Sequence, residues 1–124
     1  RQANIPVRRV AREVVWFDFK VLCGGNHDQS DYLEIAHRYP TVFISGIPKM
    51  TADNGAEARR FTWLIDVLYD NHVKLVASFD VAPDALYGEV RHDSEAQRIA
   101  SRLAEMQTHR YLELPHHSRG VMLV

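Results

Sequence analysis

The side chains of this sequence best suited to gripping a phosphate are four arginines. Arg59 and Arg60 stand in tandem, and Arg98 and Arg102 lie four residues apart. A guanidinium stays charged and its planar fork can hold two oxygens at once. Arginine is therefore the residue that neutralises phosphoryl charge when it is offered to a site built by other groups. Spacing alone also gives a plainer reading, in which Arg98 and Arg102 cover one flank of a helix and pair with Glu95 or Glu105. The rest of a phosphate site is missing. No G-x-x-x-x-G-K-[ST] run occurs, so no loop of backbone amides ends in a lysine that could reach a triphosphate. G-x-G-x-x-G is absent too, and the glycine pair Gly24–Gly25 is followed by no lysine. The apolar stretch that should close in magnesium-binding acids closes in Ser45-Gly46-Ile47 instead. Autonomous hydrolysis of a nucleoside triphosphate is not an activity this sequence supports.

Other reactive residues lack the company their chemistry needs. Asp18 follows an apolar stretch, as an aspartyl nucleophile would, but the second acid of a D-x-D pair is replaced by Lys20. Ser45 and Ser78 fall in apolar stretches without the G-x-S-x-G elbow that exposes a nucleophile, and read as serines bonded to backbone. A small hydrolase centred on Asp18, or on Ser78 and Asp80, would need at least two titratable groups converging on one pocket at the strand ends. Seven histidines are present, yet no H-x-E, H-E-x-x-H or paired-cysteine spacing marks a zinc site. His116 and His117 are adjacent and so diverge, while His27 sits in a loop near Asp28 and Asp31. The single cysteine, Cys23, cannot form an internal disulfide and reads as a small buried side chain in a reducing compartment.

The elements that must position these residues alternate between strand and helix. Val7–Phe19 reads as a strand, or as a hairpin ending in a buried strand at Val14–Phe19. Leu22–Gln29, with Gly24 and Gly25, is predicted as a turn. Asp31 is placed as the cap of a short helix, Tyr32–Tyr39, with Glu34 reaching back and Leu33, Ile35 and Ala36 buried, and Pro40 stops it. Thr41–Ile47 is apolar on both faces, which marks a central parallel strand, and Lys49–Gly55 is a loop. Ala56–Asn71 is the clearest helix, because Phe61, Leu64, Ile65 and Leu68 recur at helical period. A return of about two residues leads into Lys74–Phe79, read as a second buried strand, which completes a βαβ unit. Asp84–Tyr87 is a helical turn and Gly88–Asp93 a polar loop. Ser94 and Gln97 suggest a capping box for a helix running to about Gln107 that buries Ala96, Ile99, Leu103 and Met106. Tyr111–Leu114 is predicted as a short edge strand, and Val121–Val124 as a docking or fraying tail. The class is α/β: a small, mostly parallel sheet with a βαβ unit flanked by helices.

Bulk properties bound the function without naming it. At 124 residues the chain is one domain, with 46% hydrophobic and 25% charged residues. A net charge of −1 argues against non-specific binding to nucleic acid or anionic membrane, and no apolar run approaches the roughly 20 residues of a membrane span. The positive charge is mostly arginine, twelve against three lysines, a mild pointer to phosphate or partner contacts. The chain starts without a methionine, inside a basic, strand-like stretch. It is read as cut from a longer protein.

Three strings in sequence carry a family likeness. They are W-F-D-F-K-V-L-C-G-G with D-Y-L-E-I-A-H-R-Y-P-T-V-F-I-S-G-I-P, then A-R-R-F-T-W-L-I-D-V-L-Y-D-N-H-V-K-L-V-A-S-F, then S-R-L-A-E-M-Q-T-H-R-Y-L. From about Val14 to Leu114 the chain resembles the carboxy-terminal region of the ZapE-type AAA+-like P-loop ATPases. The resemblance implies a parent protein that uses ATP and magnesium, with its Walker A and B motifs upstream of residue 1 and none bound by this segment alone. It implies a cytoplasmic protein associated with division machinery in bacteria, or with protein quality control in mitochondria. Its partners would be the rest of the parent ATPase and a protein partner or further copies, with no specific nucleic acid and no membrane span. Arg59, Arg60, Arg98 and Arg102 match arginine positions of the family's motifs and become candidates to meet nucleotide in the parent. The sequence departs from the pattern near Gly88–Glu95, where His92 and Asp93 stand in place of a phenylalanine. Beside this accessory-domain reading stands a second, a stand-alone α/β protein-interaction module.

Overall fold

A computed structural model describes residues 5–10, 13–88 and 94–117. Strands β1 (Arg9–Val10) and β2 (Val14–Asp18) form an antiparallel hairpin, with Arg9 opposite Trp16. Two short helices follow, α1 (Phe19–Gly24) and α2 (Gln29–Arg38). Next come β3 (Thr41–Ile47), the long helix α3 (Gly55–Asp70) and β4 (Lys74–Phe79). Helices α4 (Ser94–Glu105) and α5 (His109–Leu112) close the order. The sheet runs β1-β2-β3-β4, with β2, β3 and β4 parallel. This is the α/β class expected from the strand–helix alternation.

The order of the parallel strands decides where the helices go. Each parallel connection must cross over the sheet, and such crossovers share one hand. Because β2, β3 and β4 follow in sequence without reversal, both crossovers run over the same face. On that face Val15, Phe17, Val42 and Ile44 are buried, and α3 packs between α2 and α4. The opposite face carries Trp16, Phe43 and Val76 in register, and none of the three is buried. Period two breaks once in β3. Ser45 and Gly46 form a bulge that returns Ile47 to the helix-covered side, where it is fully buried. Gly46 sits at φ +76° there, a conformation a side chain would resist.

Several expectations are corrected. Leu22–Gln29 is not simply a turn, since Phe19–Gly24 winds into α1 and buries Phe19, Leu22 and Cys23 before the glycines end it. Helix α2 starts one turn earlier than Asp31. Asp28 caps it, accepting from the amides of Ser30 and Asp31, while Asp31 at N3 accepts from the Asp28 amide. Leu33 lies on the solvent side of α2, 39% exposed, and Tyr32 takes the core position. A 3₁₀ turn, Ala52–Asn54, interrupts the predicted loop before α3, and another, Pro83–Ala85, stands at the helical turn expected after β4. Tyr111–Leu114 is not a strand; Thr108 caps the single turn α5 instead. With no strand laid beside it among the described residues, β4 is an edge, and none of its six residues is buried. Ser94 is the first residue of α4, and most of the polar loop before it, with the tail Val121–Val124, lies outside the described residues.

The tight return from α3 to β4 has a specific cause. The amide of Val73 bonds to Leu68 O and that of His72 to Tyr69 O, the paired bonds of a Schellman motif. The left-handed position that glycine usually fills is held by His72, at φ +58°.

Candidate functional site

Two groups of side chains contain the residues singled out from sequence. The first lies at the carboxyl end of the sheet, on its open face. Asp18 and Ser45 are register partners, and Ser45 Oγ donates to Asp18 Oδ1 at 2.9 Å. Trp16 Nε1 donates to Ser45 Oγ at 3.1 Å. Arg8 lies over the Trp16 ring, 4.5 Å from its centroid, and donates to Asp18 Oδ1 at 3.1 Å. Ser45 first, and then Arg8, hold the Asp18 carboxyl below the usual carboxylate range. A carboxylate so stabilised is a poor base, and Ser45 gains no activation from it. Ser78 Oγ accepts the Gly46 amide at 2.9 Å, so it braces the bulge. Asp80 bonds through its amide to Ile47 O and extends the ladder. The two titratable groups a hydrolase would need do not converge.

The second group is the arginines, which the fold divides. Arg98 and Arg102 on α4 both reach Asp66 on α3. Arg98 Nη2 lies 2.9 Å from Asp66 Oδ2, and Arg102 Nη1 donates to Asp66 Oδ1. Arg102 also lies over the ring of Tyr69, 4.7 Å from its centroid. Tyr69 in turn donates to Glu105 Oε1 at 2.8 Å and stacks on Tyr111. Arg60 points elsewhere: its Nη1 donates to the Cys23 carbonyl at 3.0 Å and satisfies an end group of α1. Arg59 is exposed and has no ion-pair partner among the described residues. Sequence reasoning missed Asp66, Tyr69, Arg8 and the Trp16–Ser45 bond. Asp66 is visible in L-I-D, but nothing local reveals that an acid on one helix serves two arginines 32 and 36 residues later.

Neither group fits a complete magnesium–nucleotide site. The phosphate cradle is absent from the sequence, the acid at the strand ends is already bonded, and two of the four arginines are engaged by one aspartate. Among the described residues the strand order also has no reversal, so they form no switch-point crevice at the carboxyl ends. Among the described residues no cluster of three His, Cys, Asp or Glu could hold a metal ion, and no helix is long and apolar enough to cross a membrane. Cys23 is fully buried, and burial pushes its thiol up to about 12, which removes it as a nucleophile at neutral pH.

The chain resembles known proteins along most of its length. It is 38% identical over 107 residues to the cell division protein ZapE of Escherichia coli, covering 86% of this chain and 28% of that protein. It is 39% identical over 84 residues to an uncharacterised protein of Schizosaccharomyces pombe, covering 68% of this chain and 18% of the relative. It is 32% identical over 140 aligned positions to lactation elevated protein 1 homolog B of Danio rerio, covering 87% of this chain and 28% of the relative. The chain thus spans less than a third of the length of these relatives. No solved structure matches it. The profile of the AFG1-like ATPases matches residues 1–115, and the chain belongs to that family.

Proposed function

We propose that this chain is an accessory, non-hydrolysing part of an AFG1-like AAA+ ATPase, and that its open sheet face docks onto another part of that ATPase. The observation that carries this reading is the one-sided sheet. Trp16, Phe43 and Val76 form an apolar row in register, ringed by Arg8, Asp18, Ser45 and Ser78, and no helix among the described residues covers them. An apolar core with a polar rim is the composition of a protein interface. On this reading the chain is carboxy-terminal to a nucleotide-binding core whose phosphate loop and magnesium acids lie in a portion before residue 1. ATP and magnesium bind there, in a cytoplasmic protein that shares its partners, in kind, with relatives such as ZapE. Of the four arginines, Arg59 on the helix-covered side is the one exposed without an ion-pair partner among the described residues, and so open to a contact on that side, whereas Arg98 and Arg102 act first as a clamp between α3 and α4.

The test has two arms. Calorimetric titration of the chain with magnesium–ATP should give no binding heat, while the complete ATPase hydrolyses ATP. In the complete protein, Phe43→Lys should lower turnover several-fold with its helical content intact, and Ser101→Lys, on the exposed side of α4, should not. Turnover by the chain alone, or an unaltered Phe43→Lys enzyme, would defeat the proposal.

A further inference from the structure

The two edges of the sheet are treated differently. The β1 edge is two residues long and flanked by charge, which blunts it. The β4 edge runs for six residues with no proline and no inward-pointing charge. Its hydrogen-bonding direction is fixed by two bonds. The Lys74 amide bonds inward to Pro40 O and the Asp80 amide inward to Ile47 O. Backbone groups alternate along a strand, so Leu75, Ala77 and Phe79 present their N–H and C=O outward. No described residue pairs with them.

We infer that this edge is an isologous interface, occupied by β4 of a second copy of this chain in antiparallel register about Ala77. A two-fold interface requires a surface complementary to itself, and the side chains of β4 mirror one another about Ala77. One step out, Val76 meets the partner's Ser78. Two steps out, Leu75 meets the partner's Phe79, an apolar pair on the helix-covered side. Three steps out, Lys74 meets the partner's Asp80, an ion pair formed twice. Each of Leu75, Ala77 and Phe79 both donates and accepts in this register. A register centred on Val76 would lose the ion pairs and leave outward groups of Phe79 without a free partner, because the Val73 amide is already bonded to Leu68 O. A groove of about 260 Å³ between the edge and α4, lined by Leu75, Ala77, Phe79, Leu103 and Met106, receives the partner's Phe79. This pairing is independent of whatever covers the open sheet face.

Sedimentation equilibrium on the chain should give a monomer–dimer equilibrium. Ala77→Pro should leave a folded monomer, since the amide it removes is unused within one copy. Lys74→Glu should weaken the dimer about tenfold or more by placing like charges opposite one another. Adding Asp80→Lys to it should restore the wild-type association. Paired residues at this position lie about 5.5 Å apart between Cα atoms, within disulfide reach. Ala77→Cys should therefore cross-link on oxidation, and Val76→Cys should not. A chain monomeric at every accessible concentration, a dimer that survives Ala77→Pro, no rescue by the charge swap, or cross-linking through position 76 rather than 77 would each overturn the inference.

Discussion

Asp66 does more for the fold than any single arginine it holds. It is three-quarters buried at the α3–α4 seam and carries hydrogen bonds from both Arg98 and Arg102. Replacing it by alanine removes both pairs and leaves two guanidiniums facing each other. Exposed pairs contribute about 0.2–1 kcal/mol each, so Asp66→Ala should cost about 1 kcal/mol or slightly more. Arg59→Ala should stay within about 0.5 kcal/mol, as for a surface residue without partners. Urea midpoints of the two variants decide it, and equal midpoints would remove Asp66 from this role. Sequence spacing pairs Arg98 and Arg102 with Glu95 or Glu105, because an i,i+3 or i,i+4 rule sees only acids on the same helix. Glu105 instead accepts the Tyr69 hydroxyl, and the acid that matters arrives from α3. Long-range ion pairs of this kind leave no local trace. The four arginines could be named from sequence, but not their division into a clamp, an α1 tether and an exposed remainder.

Strands β3 and β4 have the bounds expected from the sequence, and α3 lies within a residue of them, because each announces itself by period and punctuation. Helix α1 does not. At six residues it is too short for propensity to hold, and its glycines read as a turn. Tertiary contacts hold it instead, with Tyr32 Oη donating to Leu22 O at 2.8 Å and Arg60 to Cys23 O. Helix α2 shows a subtler miss. The sequence contains two overlapping acid pairs, Asp28 with Asp31 and Asp31 with Glu34, and the second has the more familiar capping-box signature, with Glu at N3. The first is used, and it adds three residues to the helix. Asp28→Ala should then cost about 1 kcal/mol, within the 0.5–2 kcal/mol range of lost caps. Glu34→Ala should cost far less, and the reverse order in thermal melts would restore the later start.

At the scale of the whole molecule, one-sided winding makes neighbouring residues unequal. Ile44 faces the helices and is 1% exposed, while Phe43 faces the open side. Ile44→Ala should cost about 2–5 kcal/mol in the isolated chain, and Phe43→Ala clearly less, although phenylalanine is the larger side chain. The covered side also sets how the molecule responds to base. Cys23, Tyr32 and Tyr111 all lie within this core. Burial holds the Cys23 thiol up at about 12 and raises both phenols as well. Each group binds its proton more tightly folded than unfolded. Their contribution is therefore complete below the unfolded values, about 9 for the thiol and 10 for the phenols, and is lost as pH rises beyond them. Above that point the unfolded chain binds fewer protons, and each group lowers stability by up to about 1.4 kcal/mol per pH unit. Urea midpoints should accordingly be level from pH 7 to 9 as far as these groups are concerned, begin to fall near 9, and steepen above 10. Cys23→Ala should move the onset from near 9 to near 10 and make the limb above 10 shallower by up to about 1.4 kcal/mol per pH unit. A midpoint unchanged up to pH 11, or an onset indifferent to Cys23→Ala, would mean that these groups exchange protons with solvent while the core is intact.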